Sequence, residues 1–372
     1  MVSGSENRIK GRQSMELKIE SPDNSILQED IEKLAEKEEA FQALRGSRVF
    51  VTGATGLIGS QIVKSLLCLN RLKNFGVQVI AFVRSKEKAE KVFPYFSDRE
   101  DLELVFGNME KPVVYEGKID YIIHGASATS SRFFVSNPVE TIDIAVNGTK
   151  RILELAKEKQ VKGVVYLSSL EVYGIPSSGL ETVSEKDYGY IEPLNIRSSY
   201  SEGKRMIECL CASYAKEYGV PVKIARLSQT FGAGVEYQDG RVFAEFARSV
   251  IEKRDIVLHT EGKTVRSYCY TIDAVEAILT ILLKGEVAEA YNVTNMETAV
   301  SIFEMAELVC GLRPEAGIKV VKEIPEDVSG FGYNPEMVIR LNSEKLENLG
   351  WTASVGLKEM FERLISNFEQ YA

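Results

Sequence analysis

The sequence has only two histidines, His124 and His259, among its 372 residues. A catalytic triad built on histidine or a metal site rich in histidine is therefore disfavoured, and we expect no bound metal. The five cysteines form no CxxC pair, so a reducing cytoplasm is the expected compartment.

Long apolar runs and basic runs are also missing. Polar or charged residues interrupt every apolar stretch well before the ~18 residues that a membrane-spanning helix needs, and the first 18 residues lack the apolar segment of a secretion signal. The chain has 45 Lys and Arg against 54 Asp and Glu, a formal net charge of −9. Nucleic acid and anionic membranes are therefore not expected partners.

What the sequence does have is a regular alternation that begins at Arg48. Amphipathic stretches separate six short runs rich in β-branched residues, at 48–52, 77–83, 102–106, 119–127, 163–169 and 222–227. Continuous apolar runs are typical of strands buried on both faces, and intervening helices predict right-handed parallel crossovers. The predicted fold class is α/β, a Rossmann-like doubly wound parallel sheet with a smaller C-terminal substrate-binding lobe.

The same patterns suggest where the domains lie. Residues 1–45 are polar, and the acidic helical pattern from Ile26 to Leu44 predicts a partly disordered arm that ends in a docked helix. Residues 46–228, with about 267–292, are the predicted dinucleotide-binding domain. Residues 229–266 and 293–372 are the predicted lobe over the carboxyl ends of the strands.

A glycine-rich loop follows the first predicted strand. The residues Gly53-Ala-Thr-Gly56-Leu-Ile-Gly59 lead into a predicted helix over 60–70. These spacings permit a tight turn and a close approach of the backbone to a pyrophosphate at the helix N-terminus. Arg84 stands at the end of the second strand, where a ribose-binding carboxylate is usual, so NAD and NADP both remain open as the cofactor.

A second motif pairs a phenol with an ammonium group. Tyr200 and Lys204 are four residues apart in a segment with helical periodicity, which places both side chains on one face. A nearby ammonium favours the phenolate, so we expect Lys204 to lower the pKa of Tyr200 toward the working pH. Ser169 ends the fifth predicted strand, at the edge where such sheets bind ligands. Its hydroxyl can hydrogen-bond both a substrate oxygen and the phenol.

These motifs together resemble an extended short-chain dehydrogenase/reductase of the epimerase/dehydratase kind. The resemblance runs from Arg48 to the C-terminal LGW segment and is carried by VTGATGLIGS, IIHGAS, YLSSLEVYG, SSYSEGK, RLSQTFGAG, VRSYCYTIDAV and LGWTASVGL. Within that family, the stretches HGASATSSRFFVSNPVETIDIAVNGT, RSSYSEGKRMIE and DGRVFAEFARSVI most resemble UDP-glucuronate decarboxylases. The N-terminal arm lies outside the resemblance.

The resemblance implies a role for individual residues. It implies a redox triad of Ser169, Tyr200 and Lys204, with Glu171 working near C5 of a sugar. The implied cofactor-binding residues are Gly53, Thr55, Gly56, Leu57, Ile58, Gly59, Arg84, Asn108, Met109, Ala126, Tyr200 and Lys204. The implied substrate-binding residues are Ser127, Glu171, Gln229, Arg241, Arg266 and Arg340, with Arg266 near the diphosphate or a uronate carboxylate. His124 is expected to be a packed, hydrogen-bonded residue instead of a catalyst.

Two positions depart from the family pattern. Leu170 stands where dehydratases carry an aspartate and decarboxylases a small polar residue, and Gln229 replaces the usual asparagine of the substrate loop. If Leu170 lies next to the reacting carbon, it offers that carbon no hydrogen bond.

The implied function is redox chemistry at C4 of a nucleotide sugar with bound NAD(P), most like that of a UDP-glucuronate decarboxylase. A 4-epimerase, a 4,6-dehydratase variant that uses Glu171 alone, an NADP-linked reductase and a non-catalytic nucleotide-binding protein are the alternatives. A UDP-sugar is the expected substrate. As in relatives, we expect a homodimer through the helices near 138–160 and 199–218.

Overall fold

The computed structural model describes residues 19–96, 99–127, 131–325 and 336–370. Residues 1–18 of the predicted arm lie outside this part of the chain. The helices are α1 (Ser25–Glu36), α2 (Leu57–Lys73), α3 (Lys86–Val92), α4 (Ser131–Ser136), α5 (Pro138–Lys159), α6 (Ser198–Tyr218), α7 (Val242–Ile251), α8 (Thr271–Lys284), α9 (Ile302–Leu312), α10 (Glu344–Glu347) and α11 (Leu357–Glu369). The strands are β1 (Arg48–Thr52), β2 (Gln78–Val83), β3 (Leu102–Phe106), β4 (Tyr121–His124), β5 (Gly163–Ser169), β6 (Val222–Leu227), β7 (Gln229–Phe231), β8 (Ile256–Leu258), β9 (Val265–Tyr270), β10 (Ala290–Val293), β11 (Asn295–Ser301), β12 (Val320–Lys322) and β13 (Val338–Ile339).

Seven parallel strands form the large sheet, in the order β10-β6-β5-β4-β1-β2-β3. Six of them are the runs read as strands from the sequence. Along β1, Val49 and Val51 pack into one hydrophobic core while Phe50 packs into the core on the opposite face. This double burial explains the continuous apolar runs, and the predicted fold class is confirmed.

Helices cover both faces of the large sheet. Apolar residues of α2 and α8 belong to the larger core, and those of α5 and α6 to the core on the other face. Within the described ranges, no helix combines the length and the apolar character needed to cross a membrane.

The smaller sheets begin where the chain leaves β6. One of them has the order β11-β9-β13, with β7 paired to β9, and the other pairs β8 with β12. Because Leu227 ends β6 and Gln229 begins β7, the chain enters the small sheet at the carboxyl edge of the large one. This connection places β9 and β13 beside the edge at which parallel sheets bind ligands.

The described part of the N-terminal arm packs against the rest of the protein. Helix α1 contacts α2, α8 and α11. The fully buried side chain of Glu20 pairs with Arg71 at 2.9 Å and with Arg99 at 3.1 Å. Asp30 pairs with Arg363 at 2.5 Å, and burial raises the pKa of Asp30 to about 6. The arm therefore ties the C-terminal helix α11 to the helix that follows the glycine-rich loop.

Candidate active site

The glycine-rich loop is shaped by two close backbone contacts. Gly53 has a φ of +68°, and a Cβ there would lie 2.8 Å from the carbonyl of Gly125. A Cβ on Gly59 would lie 2.1 Å from the carbonyl oxygen of Gly53. Helix α2 begins at Leu57 without a side-chain cap, so the N–H groups of its first turn remain available to an anion.

Tyr200, Ser169 and Lys204 meet at the carboxyl end of β5. The hydroxyl of Ser169 lies close enough to the phenol of Tyr200 to lower the pKa of that phenol. The ammonium group of Lys204 lies 5.6 Å from the centroid of the Tyr200 ring and donates a 2.8 Å hydrogen bond to the carbonyl of Leu167. Phe134 stacks on the other side of Tyr200, with ring centroids 4.2 Å apart. The phenol is thus held between an aromatic ring, a hydroxyl and a cation.

The expectation that the pKa of Tyr200 is lowered is wrong for the protein without a bound cofactor. Burial raises the pKa of Tyr200 to about 12, the hydrogen bond with Ser169 lowers it, and the charge of Glu171 raises it further. Burial lowers the pKa of Lys204 to about 8, and the carboxylate of Glu208 opposes that shift. Desolvation is the largest cause of both shifts, and it raises the pKa of the phenol, against the direction that the spacing suggested.

Glu171 lies in the short 3-10 turn that follows Ser169. Its backbone N–H donates to the Ser169 hydroxyl at 3.3 Å, which orients that hydroxyl. The hydroxyl of Ser201, the residue after Tyr200, lies 3.4 Å from a carboxylate oxygen of Glu171. The carboxylate is therefore held beside the residue that follows Tyr200, and its charge acts on the phenol.

Arg266 is buried in the middle of the small sheet, on β9, with 7% of its surface exposed. Its Nη1 group makes no hydrogen bond to the described residues. Burial lowers the pKa of Arg266, while the charge of Glu171 raises it and that of Arg197 lowers it. Because an unpaired buried guanidinium is costly, this group fits a site that receives an anion.

Leu170 does not face the reacting groups. It is 3% exposed and packs in a small core with Val172, Tyr173, Ile339 and Leu341. The concern that an apolar side chain lies next to the reacting carbon is therefore not met. Leu170 instead anchors the catalytic turn to β13.

The other substrate candidates are spread over the lobe. Gln229 pairs with Tyr268 on β9, and Ile339, next to Arg340, pairs with Arg266, so the small sheet gathers Gln229, Arg266 and Arg340. The side chain of Arg340 is exposed. Arg241 is ion-paired with Asp239 at 2.6 Å at the start of α7.

The remaining cofactor candidates follow the ends of β2, β3 and β4. Arg84 is exposed immediately after β2, and Asn108 accepts a hydrogen bond from the N–H of Glu110. Met109 is buried beneath α5, so it also has a packing role. Ala126 and Ser127 follow β4 directly and are partly buried.

A buried polar chain behind the glycine-rich loop fixes the segment after β4. The Thr52 hydroxyl lies 2.7 Å from Nδ1 of His124 and accepts a hydrogen bond from the N–H of Ala126 at 3.1 Å. Nε2 of His124 lies 3.0 Å from the hydroxyl of Thr149, which donates to the carbonyl of Ala145 at 2.7 Å. These roles require a neutral imidazole with its proton on Nε2. Burial lowers the pKa of His124 to about 3.

Sequence reasoning missed several residues of the site. Phe134, Ser201, Thr52 and Thr149 contact predicted residues, but none of them was singled out within the motifs and stretches that contain them. Ser201 and Thr52 had a local signal, because they adjoin Tyr200 and Gly53. Among the residues that the structure describes, no three His, Cys, Asp or Glu side chains converge as metal ligands.

Comparison with known proteins agrees with this geometry. The model of the NAD dependent epimerase/dehydratase family matches residues 49–294. UDP-glucuronic acid decarboxylase 6 of Arabidopsis thaliana is 32% identical over 313 residues, which cover 84% of this chain and 86% of the plant protein. UDP-glucuronic acid decarboxylase 1 of Xenopus tropicalis is 28% identical and covers 97% of this chain and 82% of its own length.

The solved structures show the same fold. The UDP-glucuronic acid 4-epimerase of Bacillus cereus, in complex with UDP-glucuronic acid and NAD, aligns with a TM-score of 0.69 at 19% identity. That alignment covers 87% of this chain and all of the epimerase. Since the family model matches well over half of the chain and the resemblance read from its motifs is confirmed, the chain belongs to the NAD dependent epimerase/dehydratase family.

Proposed function

We propose that this protein decarboxylates a UDP-uronate, with UDP-glucuronate as the first candidate. The observation that carries the proposal is the buried guanidinium of Arg266, which has an unpaired Nη1 group and interacts electrostatically with Glu171 beside Tyr200. The similarity to UDP-glucuronic acid decarboxylases over 84% of the chain supports it. We propose the seven-stranded sheet as the cofactor domain and the small sheets as the substrate lobe.

The loop around Gly53 fits NAD. Its backbone packs so closely that no Cβ can enter, and the uncapped start of α2 offers N–H groups to a pyrophosphate. When bound, the oxidised nicotinamide supplies the hydride acceptor and a positive charge that favours the Tyr200 phenolate. Arg84 is exposed where it can contact the adenosine ribose or a 2′-phosphate, so NADP is the alternative cofactor.

Tyr200 is the proposed base at the C4 hydroxyl of the sugar. The pKa of about 12 means that the phenolate is scarce at neutral pH, so proton transfer depends on charges that stabilise it in the loaded site. The Ser169 hydroxyl lowers the pKa of the phenol, and the Lys204 ammonium is held nearby by the carbonyl of Leu167. These three side chains orient and deprotonate the alcohol as the hydride leaves C4.

Oxidation at C4 prepares the loss of carbon dioxide. A ketone at C4 makes the C5 carboxylate that of a β-keto acid, whose C5–carboxyl bond breaks with the electron pair passing into the enolate of the ketone. Glu171 and Ser201 line the position from which a proton can return to C5. Hydride returned to C4 then regenerates the cofactor and leaves a UDP-pentose.

The position of Leu170 favours decarboxylation over dehydration. Loss of water would require an acid to protonate a departing hydroxide, and the side chain at 170 packs in the small core with Ile339 instead. Decarboxylation needs no acid on its leaving group.

The test is to incubate the purified protein and NAD with UDP-glucuronate and follow the products by mass spectrometry. We expect carbon dioxide and a UDP-pentose or its 4-keto form. UDP-glucose and dTDP-glucose serve as neutral controls. Epimerised UDP-glucuronate, or turnover of the neutral sugars alone, would refute decarboxylation and leave the redox triad in place.

We also propose a homodimer through α5 and α6. Val139 on α5 is 80% exposed and Met206 on α6 is 55% exposed, so both helices present apolar side chains to solvent. Cys211, on the opposite side of α6, is buried in the core. All five cysteines are free thiols, which supports a reducing, cytoplasmic compartment.

A further inference from the structure

One face of α6 follows the turn that carries Glu171. Arg205 on this face donates a 2.7 Å hydrogen bond to the carbonyl of Val172, and Ser201 reaches the Glu171 carboxylate at 3.4 Å. These two residues are four apart, and Arg197 lies four residues before Ser201. Residues at this spacing share one side of a helix, so Arg197 stands one turn before Ser201, at the N-terminal end of this face.

Arg197 is positioned but not neutralised. It is the N-cap residue of α6, and its backbone N–H donates to the side chain of Asn195 at 3.0 Å. Its guanidinium, which is only partly exposed, makes no hydrogen bond or ion pair with any residue that the structure describes. The buried Arg226 shows the contrast, since its guanidinium pairs with Glu208 at 2.6 Å.

Arg197 and Arg266 approach the Glu171 turn from two elements. Helix α6 brings Ser201 to the Glu171 carboxylate, and Ile339, which pairs with Arg266 in the small sheet, packs against Leu170 beside Glu171. The charge of Arg197 lowers the pKa of Arg266 and that of Glu171 raises it. Two guanidiniums and one carboxylate leave an excess of positive charge that a single bound anion would balance.

We propose that Arg197 is a specificity-determining residue that, together with Arg266, binds the C5 carboxylate of the sugar. This inference rests on the proposed function and names how the site would recognise a uronate. The sugar end of the ligand is favoured over the diphosphate because Arg197 lies three residues before Tyr200 on the same helix. C5 adjoins C4, the carbon at which Tyr200 works.

The test compares three ligands by isothermal titration calorimetry with the NAD-loaded protein. A Tyr200→Phe background prevents consumption of the substrate. Replacement Arg197→Met should weaken the binding of UDP-glucuronate about tenfold to a hundredfold, as expected for a lost charge-assisted hydrogen bond. The affinities for UDP-glucose and UDP should stay within about twofold of those of the Tyr200→Phe protein. Arg197→Lys should restore part of the loss, because it keeps the charge but not the planar fork.

The matched control is Lys216→Met, which removes a cation from the exposed last turn of the same helix. It should leave the affinity for all three ligands unchanged. Equal weakening of all three ligands by Arg197→Met would assign Arg197 to the nucleotide or to folding and overturn the inference, as would unchanged binding of UDP-glucuronate. After either of these two results, the wild-type enzyme is tested for release of carbon dioxide from UDP-glucuronate. If carbon dioxide is released, only the role of Arg197 is wrong. If none is released, the proposed function is wrong as well.

Discussion

The buried, neutral imidazole of His124 allows us to predict how much the free energy of unfolding decreases at acidic pH. Its two ring nitrogens are fully used in the neutral form, since Nδ1 accepts from Thr52 and Nε2 donates to Thr149. Protonation of Nδ1 would place two donors face to face in a buried site. The folded protein therefore resists protonation until pH about 3, whereas the unfolded chain takes up the proton near 6.5.

The sign of the effect follows from these two values. Between pH 6.5 and 3 the unfolded chain binds more protons than the folded one, so the free energy of unfolding falls as the pH falls. The stabilisation that comes from the neutral His124 imidazole is fully present above pH 6.5. Each pH unit is equivalent to 1.36 kcal/mol, so moving from pH 7.5 to pH 5.0 should remove about 2 kcal/mol.

A variant without the imidazole isolates the contribution of His124 to the pH dependence of the free energy of unfolding. We would measure urea unfolding of the wild type and of His124→Gln at both pH values. Carboxylates such as Asp30 titrate in both proteins and cancel in the difference. At pH 7.5 the variant should be the less stable, because glutamine cannot satisfy both threonines, and the gap should shrink by about 2 kcal/mol at pH 5.0.

The control is His259→Gln, which alters the only other histidine in the chain. Its stability difference from the wild type at the two pH values shows how much of the change follows from replacing any histidine. A gap between wild type and His124→Gln that is equal at pH 7.5 and pH 5.0 would refute the neutral, buried imidazole.

Three further predictions test other parts of the structure. Tyr200→Phe should keep the fold and NAD binding but reduce the rate about 10²–10⁴-fold, and turnover within a few-fold of wild type would exclude the phenol as the base. Glu20→Ala should lower the free energy of urea unfolding by about 3 kcal/mol, because Arg71 and the buried Arg99 each lose a carboxylate partner. Replacement of the exposed Glu36 by alanine is the control, and equal effects of the two replacements would contradict the buried ion pair. Val139→Glu combined with Met206→Glu should convert a dimer to a monomer in light scattering without loss of helical signal, and a dimer that survives both changes would exclude this interface.

The large sheet could be predicted because its strands obey one physical rule. A strand covered by helices on both faces is apolar at successive positions, as in Val49, Phe50 and Val51. Strand β10 has no such signature, since its Asn292 is fully buried and satisfied by hydrogen bonds to Tyr173 and to the carbonyls of Val183 and Asn342. Periodicity cannot reveal a polar residue whose partners are more than 40 residues away.

The sequence predicted which residues form the site better than it predicted the pKa values of those residues. The four-residue spacing placed Tyr200 and Lys204 on one helix face, yet it could not show that desolvation raises the pKa of the phenol to about 12. Local sequence also carried no sign that Leu170 packs in a core with Ile339, or that the Arg197 guanidinium finds no counter-ion among the described residues. Each of these depends on segments that are far apart in the chain.

The docking of α1 has a consequence for the order in which the protein is made. The side-chain amide of Asn24 donates to Asn367, and the N–H of Ser25 donates to Gln370, so these contacts join residues more than 340 positions apart. During synthesis α1 emerges more than 300 residues before α11, which it contacts. The docking of the arm must therefore follow the synthesis of both the large sheet and the small sheets.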